Sequence, residues 1–244
     1  MPRTIVIGDI HGALRALEQL LGKIGPREDD RFIFVGDYVD GWSQSAQVIA
    51  YLIEFEKQHD CIFLRGNHDD WCETWLSGRE ADPAWLFHGG QSTVESYAAI
   101  TREERQTHLR FFYKLRNYYE DEQNRLYIHA GFTSMHGPGK ERDKTDFMWD
   151  RTLWEMALSM NKRLSKNSLL YPKRLKLFRE IYIGHTPTIN YDQDVPMNGC
   201  NVWNVDTGAA FTGRLSAMDA DTKKVLQSDV VQRLYPFERG RNGG

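Results

Sequence analysis

Short apolar runs alternate with glycine-rich polar clusters along the chain, most regularly in its first third. Residues 4–7 read Thr-Ile-Val-Ile and stop at Gly8-Asp9-Ile10-His11-Gly12, and residues 32–35 read Phe-Ile-Phe-Val and stop at Gly36-Asp37-Tyr38-Val39-Asp40-Gly41. Residues 61–64 lead into Arg65-Gly66-Asn67-His68-Asp69-Asp70, and residues 126–128 into His129-Ala130-Gly131. Residues 181–183 lead into Gly184-His185-Thr186-Pro187, and residues 201–205 into Asp206-Thr207-Gly208. Short runs of β-branched and aromatic residues bounded by Gly and Asp predict strands buried on both faces. Between the early runs the apolar spacing becomes helical, with Leu14, Leu17, Leu20, Leu21 and Ile24 in residues 13–24 and Val48, Ile49, Leu52, Ile53 and Phe55 in residues 44–58. The order β-α-β-α-β predicts an α/β protein with parallel pairing, at least in its first half. Further helices are predicted at 69–76, 92–98, 102–115, 149–160 and 173–179. Residues 215–219 and 224–227, around Asp219-Ala220-Asp221, predict a late antiparallel hairpin.

In sheets of this kind ligands gather outside the carboxyl ends of the strands, where every polar cluster falls. Side by side, those ends would deliver Asp9, His11, Asp37, Asn67, His129 and His185 into one pocket. Carboxylate, amide and imidazole donors without thiolate suit Mn, Fe, Zn or Ni. Six side chains are more than one open catalytic ion needs. A carboxylate such as Asp37 can bridge two ions, and ions about 3.5–4 Å apart clamp the attacking and leaving oxygens of a phosphoryl displacement. Each residue alone has a structural alternative: Asp9 as a turn or cap, Asp37 and Asp40 as turn formers, His129 as a core histidine, His185 as a loop residue. Their conjunction at strand ends points to chemistry.

Composition narrows the class. With 244 residues, 41% hydrophobic and 27% charged, the chain can bury a full core. Its 31 Lys and Arg against 34 Asp and Glu give a net charge of -3, which argues against a basic nucleic-acid binder or a polybasic membrane-surface protein. No run approaches the ~20 apolar residues of a spanning helix. Cys61, Cys72 and Cys200 form no CxxC pair and cannot complete a disulfide set, which fits a reducing compartment. The expectation is a cytoplasmic protein without a nucleic-acid or membrane partner. No linker-like composition divides it, so one domain is expected over residues 1–238, with a disordered tail at 239–244.

Taken in order, Gly8-Asp9-Ile10-His11-Gly12, Gly36-Asp37-Tyr38-Val39-Asp40-Gly41, Gly66-Asn67-His68-Asp69, His129-Ala130-Gly131 and Gly184-His185-Thr186 resemble the signature of calcineurin-like metallophosphoesterases. The chain is most similar to the bacterial branch of serine/threonine protein phosphatases and the related diadenosine tetraphosphatases. The resemblance implies an α/β (α+β) four-layer metallophosphatase fold, a central β-sandwich flanked by helices, with a dinuclear metal site at the C-terminal ends of strands. It implies one divalent ion on Asp9, His11 and Asp37 and a second on Asp37, Asn67, His129 and His185. Manganese is the leading candidate, with Fe, Zn, Ni or Mg as alternatives. It implies in-line attack by a metal-bridging hydroxide, His68 as general acid oriented by Asp40, and Arg151, Arg65 and Asn67 on the substrate phosphate, with an ion-pair role behind the site as the equal alternative for Arg65. The expected function is hydrolysis of phosphate monoesters, with a phosphoserine or phosphothreonine protein or peptide, or a small phosphoester, as substrate. The alternative is a symmetrical dinucleoside tetraphosphatase or a phosphodiesterase using the same metals.

Some positions depart from that pattern or lie beside it. The protein phosphatases continue Gly-Asp-x-Val-Asp with Arg-Gly, where this chain has Gly41-Trp42, so one phosphate-binding arginine is missing. Asp69 stands where that branch carries glutamate and the tetraphosphatase-like branch aspartate. Gly89-Gly90-Gln91-Ser92-Thr93 with Ser96-Tyr97 resembles a segment of the same branch, and is otherwise a loop before a helix. Lys162, Arg163, Lys166, Lys173, Arg174, Lys176 and Arg179 could steer an anionic substrate or form a solvated helix face. Trp42, Trp71 and Trp149 adjoin site motifs and could wall the pocket or pack in the core. His59, His88, His108 and His136 have no motif context and are assigned no role.

Overall fold

A computed structural model of the chain describes residues 2–161 and 163–242. Alternation within the apolar runs decides its layers, because successive strand residues point to opposite faces. Ile5 and Ile7 of β1 (Thr4–Ile7) and Phe32 and Phe34 of β2 (Arg31–Phe34) pack under helices. Val6 and Ile33, between them, meet Tyr127, Tyr182 and Val205 of a second sheet. Tyr127 and Tyr182 stack with ring centroids 5.0 Å apart between the sheets. The runs are apolar throughout because both faces are buried.

The first sheet has the order β10-β9-β1-β2-β3, with β3 at Asp60–Phe63, β9 at Arg214–Asp219 and β10 at Val225–Val230. The second has the order β4-β5-β6-β8-β7: β4 Tyr118–Glu120, β5 Arg125–Ile128, β6 Glu180–Ile183, β7 Met197–Gly199 and β8 Val202–Asn204. Each sheet contains a parallel trio, β1-β2-β3 and β5-β6-β8. The late hairpin forms as expected, and β9 adds antiparallel to β1. Parallel pairing also extends into the second half, and the short edge strands β4 and β7 were not foreseen. Their three residues are too few to show a period.

On the first sheet lie α1 (Leu14–Ile24), α2 (Ser45–Phe55), α3 (Asn67–Leu76), the turn α4 (Pro83–Trp85), α5 (Gln91–Ser96), α6 (Arg102–Tyr113) and, late in the chain, α10 (Val231–Leu234). On the second lie α7 (Asp146–Trp149), α8 (Thr152–Ser159) and α9 (Lys173–Lys176). The result is helix, sheet, sheet, helix. The helix predicted over 149–160 is interrupted, because the Asp150 carboxylate accepts hydrogen bonds from Thr152 N at 2.8 Å and Leu153 N at 3.2 Å and so starts α8 afresh. No helix among the described residues is long and apolar enough to cross a membrane.

At the end of the sandwich where β1 and β5 begin, Arg125 is buried and joins the sheets. Its guanidinium donates to Asp121 Oδ2 and Asp221 Oδ1, both at 2.6 Å, and to Thr4 Oγ1 at 3.3 Å. Removing one partner strands the buried Asp121. Arg125→Ala is expected to cost about 3 kcal/mol of stability in urea unfolding.

A second buried polar contact lies under the helical layer, where Tyr97 and His108 meet at 2.9 Å. Burial pushes His108 from 6.5 down to about 4, with Glu104 pulling weakly the other way. The folded chain therefore holds this imidazole neutral while the unfolded chain protonates it near 6.5. The stability it contributes is present above that pH and declines as pH falls towards 4. Urea unfolding of the parent and of His108→Gln between pH 4.5 and 7.5 is expected to give a steeper acid loss for the parent.

Candidate metal centre

The two parallel trios end side by side. Asp9 and His11 follow β1, Asp37 and Asp40 follow β2, Asn67 and His68 open α3 after β3, and His129, His185 and Asp206 follow β5, β6 and β8. Tight turns are needed to aim these side chains back over the sheet ends. His11, Asp37, Asp40 and His185 accordingly take positive φ of 52°, 52°, 73° and 66°, a conformation costly for non-glycine residues. Backbone hydrogen bonds hold the turns: Ile10 N and His11 N both donate to Asp37 O, at 3.0 and 2.9 Å. The Asp69 carboxylate gathers Asp37 N, Gly66 N and Tyr38 N at 2.8 to 2.9 Å. Asp69 thus braces two loops and does not line the cavity, so its departure from glutamate bears on loop shape.

Two groups of donors form, His11 with Asp37 and His68, and Asp37 with His129 and His185. Asp37 Oδ2 stands 3.6 Å from His11 Nε2 and 3.4 Å from His129 Nε2. Asn67 Oδ1 lies 3.3 Å from His129 Nε2 and 3.0 Å from His185 Nδ1. Backbone carbonyls fix the rings from behind: His129 Nδ1 is 2.8 Å from Val35 O, and His11 Nδ1 is 3.1 Å from Val39 O. Each of these two rings therefore turns its Nε2 towards Asp37, the usual second-layer arrangement for a ligating histidine. Asp9 belongs to neither group and lies against the second, with Oδ2 accepting from His185 N at 2.9 Å.

The electrostatics call for a cation. Burial, then the charge of Asp206, raises Asp9 well above the usual carboxylate range. Burial likewise pushes Asp206 up to about 6. Burial would also raise Asp37, but the imidazoles of His129, His68 and His11 outweigh it and hold Asp37 well below its ordinary value. Burial pulls His129 down, and the facing Asp37 carboxylate more than reverses this, to about 10. Burial lowers His11 and His185 well below 6.5 and keeps both neutral, whereas His129 holds a proton on the Asp37 side that a bound ion would have to displace. Asp9 Oδ1 and His185 Nε2 are buried without any hydrogen-bond partner. A Cβ at Gly66 would run into the Asp37 carboxylate, and one at Gly184 into that of Asp9. The donor set, its two unpartnered atoms and its shared aspartate fit a pair of divalent ions.

Beside the cluster opens a cavity of about 310 Å³, lined by Asp37, Asn67, His68 and His185 among others. His68 Nδ1 is 2.6 Å from Asp40 Oδ2. Asp40 is fully buried and held on both oxygens: Trp85 Nε1 donates to Oδ2 and Thr93 Oγ1 to Oδ1, each at 2.6 Å. The segment around Thr93, which resembles one in the same branch, braces the Asp40 turn. Gly41 N also reaches Gly89 O and Ser92 Oγ there.

Several expectations are corrected. Arg65 does not reach the cavity, because its guanidinium is 2.6 Å from Glu73 and 3.2 Å from Asp70 and donates to Phe112 O. Arg151 does line it, exposed by the break before α8. Trp42 is buried and donates to Ala209 O at 2.8 Å, whereas Trp71 and Trp149 face the cavity. His88, given no role above, joins them, its ring parallel to Trp71 at 6.4 Å. Of the residues placed by expectation in the tail, Arg241 packs on the body of the protein: its N donates to Ala210 O at 2.9 Å, and its side chain lines the cavity. Gly243 and Gly244 lie outside the described residues, as does Lys162 of the basic run. Among the described members of that run Arg174 is internal, donating to Phe132 O, and none lines the cavity. Asp206 could have been found from its strand-end position; Trp85 and Arg241 had no comparable signal.

Strand-end donors, a shared aspartate and this order of motifs define a metallophosphoesterase. The chain belongs to the calcineurin-like phosphoesterase family, whose model matches residues 2–208. It is 25% identical over 252 residues to the asymmetrical bis(5'-nucleosyl)-tetraphosphatase PrpE of Oceanobacillus iheyensis, covering 95% of this chain and 93% of that one. A crystal structure named as a putative diadenosine tetraphosphatase superposes with a TM-score of 0.64 at 18% identity, over 93% of this chain and 95% of the other. A protein serine/threonine phosphatase from Saccharomyces cerevisiae gives 0.61 at 14% identity, over 93% of this chain and 79% of the other. These last two likenesses are of fold.

Metal binding is directly testable. Added Mn is expected to raise the thermal midpoint of the parent, by linkage of about 2.7 kcal/mol at a hundredfold excess over Kd. Asp37→Asn is expected to remove that rise and lower the metal content measured after desalting.

Proposed function

We propose that this chain is a two-metal phosphoanhydride hydrolase acting on a dinucleoside polyphosphate. The observation that carries this reading is an aromatic wall built onto the metal cluster. Trp71 stands edge-on to His68 with centroids 5.4 Å apart, Trp149 edge-on to His185 at 5.9 Å, and the two indoles touch at 5.1 Å. Trp149 remains 44% exposed in a cavity otherwise rich in charge. An exposed indole beside a phosphate site suits a nucleobase, whose stacking is worth about 1–3 kcal/mol. The relative named as an asymmetrical tetraphosphatase supports the same substrate class.

Asp9, His11 and Asp37 would hold one ion, and Asp37, Asn67, His129 and His185 the other. Bound there, the ions supply an acidified water and neutralise phosphate charge. The chain's own groups do the rest. Arg151 offers a bidentate donor to a phosphate at the cavity wall. His68, its Nδ1 held by Asp40, keeps Nε2 for protonating the leaving oxygen. Asp40 is a positioning residue, since it acts through His68 and is itself held in place by Trp85 and Thr93.

The His68–Asp40 pair also favours a second reading, hydrolysis of phosphoserine or phosphothreonine. Alkoxide leaving groups need a proton donor more than phosphate leaving groups do. One panel with Mn separates the readings. AMP with ATP from a dinucleoside tetraphosphate is the expected result, and two ADP would mean the symmetrical cleavage. Phosphate released only from phosphopeptides would select the second reading, and no turnover of any ester or anhydride would overturn both. His68→Asn is expected to lower kcat by ~10²–10⁴ on esters with poor leaving groups, and less on aryl phosphates with good ones. Loss of bound metal in that variant would instead make His68 a ligand.

A further inference from the structure

Where the resembling phosphatases carry Arg-Gly after Gly-Asp-x-Val-Asp, this chain carries Gly41-Trp42, and both positions are met by the C-terminal segment. Gly41 takes φ +108°, and a Cβ there would lie 3.2 Å from Arg241 Cγ and 3.7 Å from its Cδ. A Cβ at Gly89 would lie 3.2 Å from the same Cγ. The stem of Arg241 therefore fills a slot that two glycines leave open. Trp42 holds the segment in place: its indole stacks on Tyr235 at 5.1 Å, and a Cβ at Gly240 would press on the same indole at 2.7 Å. Ser43 N and Oγ both donate to the Glu238 carboxylate, at 3.0 and 2.8 Å, and Arg241 N donates to Ala210 O.

Arg241 then ends in the cavity that Asp37, Asn67, His68, Arg151 and His185 line. Its guanidinium lies over the Phe211 ring at 5.2 Å, and no carboxylate pairs with it among the described residues. A guanidinium held on an aromatic face with its donors unclaimed is shaped to take a phosphate bidentately.

We propose that Arg241 is a substrate-phosphate-binding residue, delivered to the site by the C-terminal segment and acting with Arg151. The proposal rests on the phosphoester reading for its substrate, but its binding test does not need turnover. The affinity of the site for phosphate is then coupled to docking of residues 235–241 on Trp42. Gly240 is part of the device, because a larger residue there cannot sit against Trp42 and Ala210 O.

The test is titration of the Mn-loaded protein with inorganic phosphate by calorimetry, together with KM and kcat on whichever substrate the panel yields. Arg241→Met keeps the stem and removes the charge. It is expected to weaken phosphate binding roughly tenfold to a hundredfold, as loss of a charge-assisted pair would, with an unchanged thermal midpoint and metal content. Arg241→Lys should recover part of that loss, Gly240→Val should reproduce it, and Arg239→Ala, an exposed neighbour, should bind phosphate as the parent does. Parent-like phosphate affinity in a folded, metal-loaded Arg241→Met would overturn the proposal, as would a parent that binds no phosphate. A parent that binds phosphate through Arg241 yet turns over nothing would uphold the proposal and sink the hydrolase reading.

Discussion

Asp37 lies at the end of β2 with its carboxylate between the Nε2 atoms of His11 and His129, and it accepts His68 N at 3.0 Å through its other oxygen. Its carbonyl takes the amides of Ile10 and His11, and its own amide is taken by Asp69. One residue thus joins the ends of β1, β2, β3 and β5, and so joins the two sheets. A buried carboxylate among imidazoles is stable only when its charge is matched. The strained turns, the missing side chains at Gly66 and Gly184 and the facing histidines follow from the need to crowd such groups around a cation.

Around that centre the support is layered. Asp40 serves His68, and Trp85 and Thr93 serve Asp40, so the α4 to α5 region of the helical layer becomes part of the site without touching its ligands. This explains why the glycine-rich segment before α5 resembles a motif although it contributes no donor to the cavity: close approach of Gly89 to the Gly41 turn is its purpose. A conformational constraint and a chemical one are written in the same residues.

The exchange of Arg-Gly for Gly-Trp at residues 41 and 42 has a matching physical logic. Losing a side chain at one position opens a slot, and gaining an indole at the next creates a docking surface. The C-terminal segment uses both. The aromatic wall of Trp71, Trp149 and His88 lies on the same cavity as Arg151 and Arg241, so indole and guanidinium groups face one space of about 310 Å³.

Much of this was legible locally. Apolar runs ending in Gly and Asp marked the strands, their order marked parallel pairing, and the donors Asp9, His11, Asp37, Asn67, His129 and His185 sat where such strands end. The structure brings those ends together. For Arg65 the sequence leaves phosphate contact and an ion pair equally open, and only α3 decides for the pair by winding Asp70 and Glu73, five and eight residues on, to its guanidinium. Asp206 was in view, but only its burial beside Asp9 gives it weight. Arg241, Trp85 and His88 carried no local signal, since each acts through contacts with residues distant in the chain. Sequence determined the elements and the donor set, because periodicity and turn chemistry are properties of neighbours. Tertiary structure alone decided which cations face the cavity and which are paired away, because that depends on what the fold sets beside each charge.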